Sequence, residues 1–190
     1  TNSTRTSRSV ISPSTNAERF PIKMMSHINL IGQGEEMTIL DAKQTDRVIT
    51  MEYCTNNIIS NLSITGGSTD FGGGIYLQNS NPLLINLTIK DNLTESYGGG
   101  MLFYYSDPIL SNVTISNNAA VYGGGIYCKI SITNSYWDNV TVKDNSSEEY
   151  GGGILFVEFA PTLSNLTITG NSSKKYGGGM SFWKSDPNLI

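Results

Sequence analysis

The chain has 190 residues, of which only 38% are apolar and 20 are glycine. It therefore has few apolar residues for a compact multi-layer core, and we expect it either to contain repeats or to be disordered. Its formal net charge of −4 offers no basic surface to a nucleic-acid backbone, and no apolar run approaches the ~18 residues of a membrane-spanning helix. We therefore expect no nucleic-acid partner and no membrane insertion.

Residues 1–19 form a segment rich in Ser, Thr, Asn and Arg with few apolar groups. This composition is typical of a flexible leader, because it offers little apolar surface to bury. An arm that docks on a neighbouring molecule is the alternative. The single histidine, His27, follows this segment without the partners that a zinc site or a Ser-His-Asp arrangement needs, so we expect neither a metal site nor a cofactor.

A repeat of about 26 residues organises the rest of the chain. Within one unit, apolar residues alternate with a period of two, as in Ile75-Tyr76-Leu77-Gln78, which predicts three short strands per repeat. Three strands cannot pair within one unit, so the units must stack at about 4.8 Å per coil. The sequence therefore predicts an all-β, right-handed parallel β-helix over residues 20–190, with about six to seven coils. Two markers recur in phase, an aromatic residue before three glycines (Phe71, Tyr97, Tyr122, Tyr150, Tyr176) and an asparagine before a short apolar strand (Asn61, Asn86, Asn112, Asn139, Asn165).

Alignment of the units by column predicts which side chains face inward. Wholly apolar columns are expected inside, and the rings before the glycines are expected to stack at one corner of the coil. The mixed column is expected to face outward. The inward columns are Ile75/Met101/Ile126/Ile154/Met180, Leu77/Phe103/Cys128/Phe156/Phe182 and Leu84/Leu110/Leu163/Leu189, and the outward column is Tyr76/Leu102/Tyr127/Leu155/Ser181.

The Tyr-Gly-Gly-Gly-Ile-Tyr, Asn-x-Pro and Asn-[Leu/Val]-Thr-Ile motifs resemble the repeats of right-handed β-helix proteins in the pectin-lyase-like superfamily. They are similar to repeats of large secreted prokaryotic surface proteins and of polymorphic outer-membrane autotransporters. Residues 28–34 and 38–41 look like the first coils of such domains. The resemblance implies the fold more strongly than a function, since the superfamily includes lyases, hydrolases, tailspikes, adhesins and passive repeats.

A catalytic cluster is not expected in this segment. A lyase of this fold needs clustered carboxylates with an Arg or Lys base, and a hydrolase needs two acidic groups at a suitable separation. The outward columns offer neither. Glu158 with Lys184, and residues 148–149 with 174–175, are expected to form surface ion pairs instead.

Three Asn-x-[Ser/Thr] sites, at Asn92, Asn145 and Asn171, fall in predicted turns. They are expected to be accessible acceptors if the source organism glycosylates secreted proteins. At the end of the chain, no polar or helical cap follows Ile190. We expect either that the natural chain continues or that another subunit covers this coil, since an open end exposes apolar groups and unpaired strands.

The repeat that starts at Tyr122 has 28 residues, two more than usual, and the extra pair falls within residues 133–138. This predicts a bulge that raises Tyr136 or Trp137 to the surface. One of the two rings is expected to replace the leucine that this coil lacks in the Leu84 column, because an empty core position would cost several kcal/mol. The other ring is then expected to be exposed.

Outward aromatic residues suggest a binding surface for sugar rings or for another protein. The chain is therefore expected to be a non-catalytic, extracellular or cell-surface segment that serves as a stalk, an adhesive or a binding surface for cell-surface glycans or proteins. Two alternatives are a polysaccharide lyase or glycoside hydrolase with catalytic residues outside this segment, and a filament subunit that associates end to end through the open C-terminal coil. The candidate binding residues are Tyr76, Tyr104, Tyr127, Trp137 and Trp183.

Overall fold

The structure, a computed structural model, describes residues 9–11, 19–131 and 133–190. The predicted leader lies outside the described residues except for Arg19 and a short strand at Ser9–Ile11. Over its described part the chain forms strands and no helix. In chain order these are β1 (Ser9–Ile11), β2 (Ile22–Lys23), β3 (Leu30–Ile31), β4 (Thr38–Asp41), β5 (Ile49–Glu52), β6 (Ile58–Thr65), β7 (Ser68–Phe71), β8 (Ile75–Gln78), β9 (Leu83–Lys90), β10 (Leu93–Tyr97), β11 (Met101–Tyr104), β12 (Ile109–Ser116), β13 (Ala119–Tyr122), β14 (Ile126–Lys129), β15 (Tyr136–Lys143), β16 (Ser146–Tyr150), β17 (Ile154–Val157), β18 (Thr162–Thr169), β19 (Ser172–Ser173), β20 (Met180–Trp183) and β21 (Asn188–Leu189).

The strands form three parallel sheets that run along the axis of a solenoid. Sheet A has the order β1-β4-β6-β9-β12-β15-β18-β21, with β3 also paired to β6. Sheet B has the order β2-β5-β8-β11-β14-β17-β20, and sheet C has the order β7-β10-β13-β16-β19. Within the repeats, each strand pairs with the equivalent strand of the next coil. The predicted parallel β-helix with three strands per coil is therefore confirmed.

The core lies between the three sheets and includes the predicted columns. Ile75, Met101, Ile126 and Ile154 are fully buried, and so are the members of the Leu77 column in the same coils. In the last coil Met180 is half-buried and Phe182 is exposed. Both cysteines are unpaired and buried as packing residues.

The long strands of sheet A bend at an asparagine in every repeat. Asn86, for example, has a φ of 51°, a left-handed conformation that asparagine tolerates better than most residues. Its side-chain amide donates a hydrogen bond to Oδ1 of Asn61 over 2.8 Å. Asn112 and Asn139 continue this outer asparagine ladder. Asn165 departs from this pattern, since its amide donates to Oδ1 of Asp138 over 2.9 Å.

A second asparagine ladder lies inside the coil and consists of Asn92, Asn118, Asn145 and Asn171. The amides of Asn92, Asn118 and Asn145 each donate to Oδ1 of the asparagine in the next coil and to a backbone carbonyl of the preceding coil, as Asn118 does to Asn145 and Ile89. The same Oδ1 also accepts the backbone N–H of the preceding asparagine. Asn171, the last member, donates to the Val142 carbonyl. The prediction that Asn92, Asn145 and Asn171 are accessible glycan acceptors is therefore wrong for the folded chain. Asn92 and Asn145 are 1% and 0% exposed, and Asn171 is a half-buried member of the same ladder.

Two hydroxyls beside the inner asparagine ladder, those of Thr94 and Ser147, are buried without a hydrogen-bond partner. Ala120 occupies the equivalent position in the coil before Ser147. We therefore expect Ser147→Ala to leave the free energy of unfolding unchanged or to raise it by up to about 1 kcal/mol, because it removes an unsatisfied buried group.

Urea unfolding measures this change, and Ser135→Ala is the matched control. Ser135 is also buried, but its hydroxyl accepts the Trp137 indole N–H at 2.8 Å and donates to Pro108. That substitution should destabilise the fold. An equal loss for both serines would contradict the interpretation.

The glycine triplets allow the sharp corner between sheets C and B. Gly98 has a φ of 67°, which a side chain would strain. At Gly124, a Cβ atom would lie only 2.1 Å from the Ser146 carbonyl oxygen. The corner thus needs glycine both for its dihedral angle and for the close approach of the next coil.

The 28-residue coil keeps its register in sheet A. Trp137 pairs with Leu110 and Leu163 on its two sides and is 0% exposed, so it fills the leucine column. Tyr136 is 39% exposed. The expectation that one ring is buried and the other exposed is confirmed, but Trp137 as a binding residue is wrong because the empty core position takes its ring.

Candidate functional site

The rings before the glycine triplets form a continuous stack at the corner, as predicted. We call Phe71, Tyr97, Tyr122, Tyr150 and Tyr176 the aromatic ladder. Successive ring centroids lie 5.9, 5.1, 6.1 and 5.5 Å apart, and the ring planes stay within 20° of parallel. Because each ring covers the face of the next, the inner rings of the ladder present their edges to their surroundings.

The aromatic ladder covers part of the outer face of sheet B. Leu102, Tyr127 and Leu155 lie in the column predicted to face outward, yet they are only 6 to 8% exposed. They form a second apolar cluster, outside the main core, with Tyr97 and Tyr122 of the ladder packed against it. The column is therefore on the outer face, but it is not an open surface.

A groove runs along the axis between the aromatic ladder and the last outward residues of the sheet B strands. We call it the aromatic groove. Its first section has a volume of about 280 Å³ and its second about 480 Å³. Tyr97 and Tyr127 line both sections. The opposite wall carries Tyr104 and Lys129, and then Val157 and Trp183.

Two cations lie at the first section of the aromatic groove. The Arg47 guanidinium carbon is 4.6 Å from the centroid of the Tyr76 ring, and its Nε donates to the Phe71 and Gly72 carbonyls over 3.0 Å. Burial lowers the pKa of Arg47, while nearby Tyr76 and Asp46 act in the opposite direction. Lys129 lies 5.7 Å from the centroid of the Tyr104 ring. Both cations therefore rest on tyrosine rings.

The structure brings four of the five predicted binding residues to this surface. Tyr76 and Tyr104 are half-buried at the first section, and Tyr127 is 8% exposed at the floor. Trp183 is 64% exposed at the second section. Trp137 is absent from the groove because it lies in the core. The groove wall formed by Tyr97, Tyr122 and Tyr150 was predicted as a stack but not as part of a site.

The Tyr127 phenol is the group whose ionisation the groove affects most. Burial, with a smaller contribution from Tyr97, raises its pKa to about 12 from an ordinary value of 10. The unfolded chain ionises first, so the stability that neutral Tyr127 contributes is complete below pH 10 and is lost as the pH rises towards 12.

We therefore expect urea midpoints to fall between pH 10 and 12, and Tyr127→Phe to reduce that fall while it leaves the midpoint at pH 7 nearly unchanged. Tyr136→Phe is the control, because its ring is exposed. An identical decline in the wild type and in Tyr127→Phe would contradict this assignment.

Several acidic and basic side chains form ion pairs between adjacent coils. Lys174 pairs with Glu148, Lys175 pairs with Glu149 at 2.6 Å, and Lys184 pairs with Glu158 at 3.4 Å. These predicted surface pairs are confirmed. The part of the chain that the structure describes contains no group of three His, Cys, Asp or Glu side chains placed to hold a metal ion. In the same residues, no helix is long and apolar enough to cross a membrane.

An apolar feature of sheet A escaped the sequence analysis. Ile58, Leu83, Ile109 and Tyr136 are successive partners in register at the start of the long strands. Ile109 is 45% exposed and Tyr136 is 39% exposed. Ile58, Leu83 and Ile109 line a recess of about 350 Å³ together with Asn57 and Pro82. The alternation of side chains along each strand already places these residues on the outer face, so the sequence carried a signal for this column.

Comparison with protein families gives one match. The family described as "Right handed beta helix region" matches residues 29–190. No curated protein matches the chain. No solved structure matches it either. The predicted likeness to autotransporter repeats stays a prediction.

Proposed function

Because the chain belongs to the right-handed β-helix family and is a structural or binding solenoid, we propose that it is a non-catalytic module of the cell surface or extracellular space that holds a protein partner along its aromatic groove. The single observation that carries this proposal is the groove itself. It is apolar and aromatic, it is open to solvent, and it spans several coils.

The chemistry of the groove favours a protein partner over a glycan. Tyrosine, tryptophan and phenylalanine are enriched at protein interfaces, where a large apolar body is buried while a hydroxyl or N–H group stays hydrated. The floor, formed by Leu102, Tyr127 and Leu155, offers one phenol and otherwise only hydrocarbon. A sugar laid on it would leave most of its hydroxyls unpaired, which is costly.

The geometry of the aromatic ladder supports the same choice. The outward aromatic residues suggested a surface for sugar rings or for another protein, and the stacked rings of Tyr97, Tyr122 and Tyr150 cover one another's faces. What remains accessible is a row of ring edges and hydroxyls, one per coil. Such a row fits a partner whose apolar side chains enter the groove at the same interval.

The location and the lack of activity rest on other observations. The placement outside the cell follows from the likeness of the motifs to repeats of secreted surface proteins. The non-catalytic assignment is supported by how the charged groups near the groove are used, since Arg47 caps backbone carbonyls and Glu158 pairs with Lys184. Release of unsaturated or reducing ends from a panel of polysaccharides would overturn it and favour a lyase or hydrolase.

The dye Nile red tests whether the groove is an accessible apolar site. We expect its fluorescence to rise on addition of the folded chain, and Val157→Lys to abolish most of that rise, because a charge in the groove is costly to desolvate. Thr114→Lys, on the outer face of sheet A, is the matched control and should bind the dye like the wild type.

A glycan array then tests the class of partner. Neutral and uronate oligosaccharides should retain the wild type no better than Val157→Lys does. Retention of the wild type that Val157→Lys loses would overturn the protein partner in favour of a glycan. No rise in Nile red fluorescence with the wild type would remove the groove as a binding surface altogether.

A further inference from the structure

The outer asparagines, one in each long strand of sheet A, also begin an Asn-x-[Ser/Thr] sequence, the acceptor motif for N-linked glycans. Asn112, Asn139 and Asn165 are exposed, whereas Asn61 and Asn86 in the earlier coils are half-buried. The motif therefore reaches solvent at three successive coils on one face of the solenoid. The five motifs are Asn61-Leu62-Ser63, Asn86-Leu87-Thr88, Asn112-Val113-Thr114, Asn139-Val140-Thr141 and Asn165-Leu166-Thr167.

The hydrogen bonds of the three exposed asparagines leave one N–H group of each amide unused. An asparagine amide carries two N–H groups. Among the described residues, Asn112 donates one bond, to Asn86 over 3.0 Å, and Asn139 donates one bond, to Asn112. Asn165 likewise donates one bond, to Asp138. An N-linked glycan replaces one amide hydrogen and keeps the other, so each of these side chains can carry a glycan and keep its bond to the neighbouring coil.

The inner asparagine ladder contains the same motif in a form that excludes a glycan. Asn92 begins Asn-Leu-Thr and Asn145 begins Asn-Ser-Ser. The Asn145 amide donates to the Ile115 carbonyl over 3.0 Å and to Oδ1 of Asn171 over 2.9 Å, so both of its N–H groups are used. It is also 0% exposed. A glycan on this nitrogen would break a buried hydrogen bond and would have no space.

The hydroxyl two residues after the asparagine belongs to the acceptor motif, and it is free in the same three coils. Among the described residues, the hydroxyls of these three threonines have no hydrogen-bond partner, and their side chains are half-buried or exposed on the outer face of sheet A. In the two earlier coils, Ser63 donates to the Glu35 carbonyl and Thr88 donates to the Glu35 carboxylate. Glu35 thus occupies the motif in those coils. The three free hydroxyls are those of Thr114, Thr141 and Thr167.

We propose that Asn112, Asn139 and Asn165 are the acceptors for N-linked glycans on the folded chain. The co-reactant is an oligosaccharide joined through pyrophosphate to a polyprenol. The Nδ2 atom forms a bond to the anomeric carbon of the first sugar while the bond from that carbon to the pyrophosphate oxygen breaks. The pyrophosphate leaves with the electron pair, and the amide gives up one proton to a base of the transferring enzyme.

Neighbouring acceptors lie too close for full occupancy. Nδ2 of Asn139 lies 2.6 Å from Oδ1 of Asn112, so a glycan on one crowds a glycan on the other. We expect glycans on Asn112 and Asn165 together, or on Asn139 alone. The inference uses the proposed location outside the cell, where secreted chains meet such enzymes, but it does not use the aromatic groove.

Glycosylation of the folded 190-residue chain in vitro tests the proposal. The enzyme is an oligosaccharyltransferase chosen because it modifies free peptides of residues 109–116 and 142–149 equally well, and mass spectrometry of proteolytic peptides locates the glycans. The folded chain should carry glycans on the three outer asparagines and none on Asn92 or Asn145. Thr114→Val should remove the glycan from Asn112, whereas Thr169→Val, an exposed threonine of the same face outside the motif, should change no site.

Two results would overturn the proposal. One is a folded chain that stays unmodified at Asn112, Asn139 and Asn165 although the enzyme modifies both peptides. The other is modification of Asn145 in a chain whose circular dichroism shows the native fold. The urea midpoint gives a second readout, since the modified chain should unfold at the same concentration as the unmodified chain if the bonds between coils survive.

The outcomes also separate this inference from the proposed function. Nile red should bind the glycosylated chain and the unmodified chain equally, because the glycans lie on sheet A and the groove lies on sheet B. Failure of glycan transfer with normal Nile red binding refutes the acceptor sites and leaves the groove. Glycan transfer without Nile red binding refutes the groove and leaves the acceptor sites.

Discussion

Replacement of Trp137 by alanine should lower the free energy of unfolding by about 3–5 kcal/mol, the range for removal of a large buried aromatic ring. Trp137 is fully buried and takes the place of leucine between Leu110 and Leu163. Its ring contacts Phe103 and Phe156, with centroids 6.1 and 5.6 Å away. Removal would leave a cavity that the rigid backbone of adjacent coils cannot close.

Two controls separate this cavity from the loss of any aromatic residue at the long turn. Tyr136→Ala removes the neighbouring exposed ring and should cost less than about 1 kcal/mol. Trp137→Leu restores the residue of the adjacent coils and should cost clearly less than alanine. Urea unfolding monitored by far-ultraviolet circular dichroism measures all three. Equal losses at positions 136 and 137 would contradict the assignment of Trp137 to the core.

Replacement of Asn118 by alanine should destabilise the chain by about 3 kcal/mol or more, because several buried partners lose a hydrogen bond at once. Its Oδ1 accepts both the backbone and the side-chain N–H groups of Asn92. Its Nδ2 donates to the Ile89 carbonyl and to Oδ1 of Asn145. Asn118 is 1% exposed, so its partners would lose their hydrogen bonds in the interior, and the loss should be large for so small a change in volume.

The outer asparagine ladder provides the matched comparison. Asn112 lies at the surface, and its left-handed φ of 55° is one that glycine adopts freely. We expect Asn112→Gly to cost less than about 1 kcal/mol, since water replaces the lost bonds to Asn86 and Asn139 at this exposed position. Chemical denaturation of both variants measures the difference. A smaller effect at Asn118 than at Asn112 would show that the inner ladder is not the stronger of the two.

The repeat made the fold predictable from the sequence. A position that is apolar in every coil, as in the column Ile75/Met101/Ile126, is predicted to be buried. The glycine triplets predict the position of the corner. The aromatic ladder followed from the same register. These features depend on comparison of units within one chain, which a period of about 26 residues allows.

What could not be predicted depends on distances between different columns. The inner asparagine ladder has the same residue type as the outer one, and only the turn geometry places Asn145 inside and Asn139 outside. Likewise, Tyr127 lies on the outer face of its sheet, and its burial depends on the reach of Tyr97 and Tyr122 across the glycine corner.

The choice between Tyr136 and Trp137 for the core shows a third limit. The sequence located the missing leucine but not the ring that fills its place, because the conformation of the two extra residues in the preceding turn was unknown. The Asp107 carboxylate accepts hydrogen bonds from the backbone and hydroxyl of Thr133 and from the hydroxyl of Ser131. These bonds hold the longer turn against the preceding coil. The strand that begins at Tyr136 therefore pairs in register with the strand that begins at Ile109.

The pairing of every strand with its counterpart one coil away sets which changes of chain length the fold accepts. Deletion of one residue within a strand shifts all later ladders relative to their neighbours, so inward and outward residues exchange places. Deletion of a whole coil, for example residues 87–112, joins Asn86 directly to Val113 and keeps both asparagine ladders and the aromatic ladder continuous. The fold can therefore gain or lose length in units of one coil, and each coil added or removed lengthens or shortens the aromatic groove by one step.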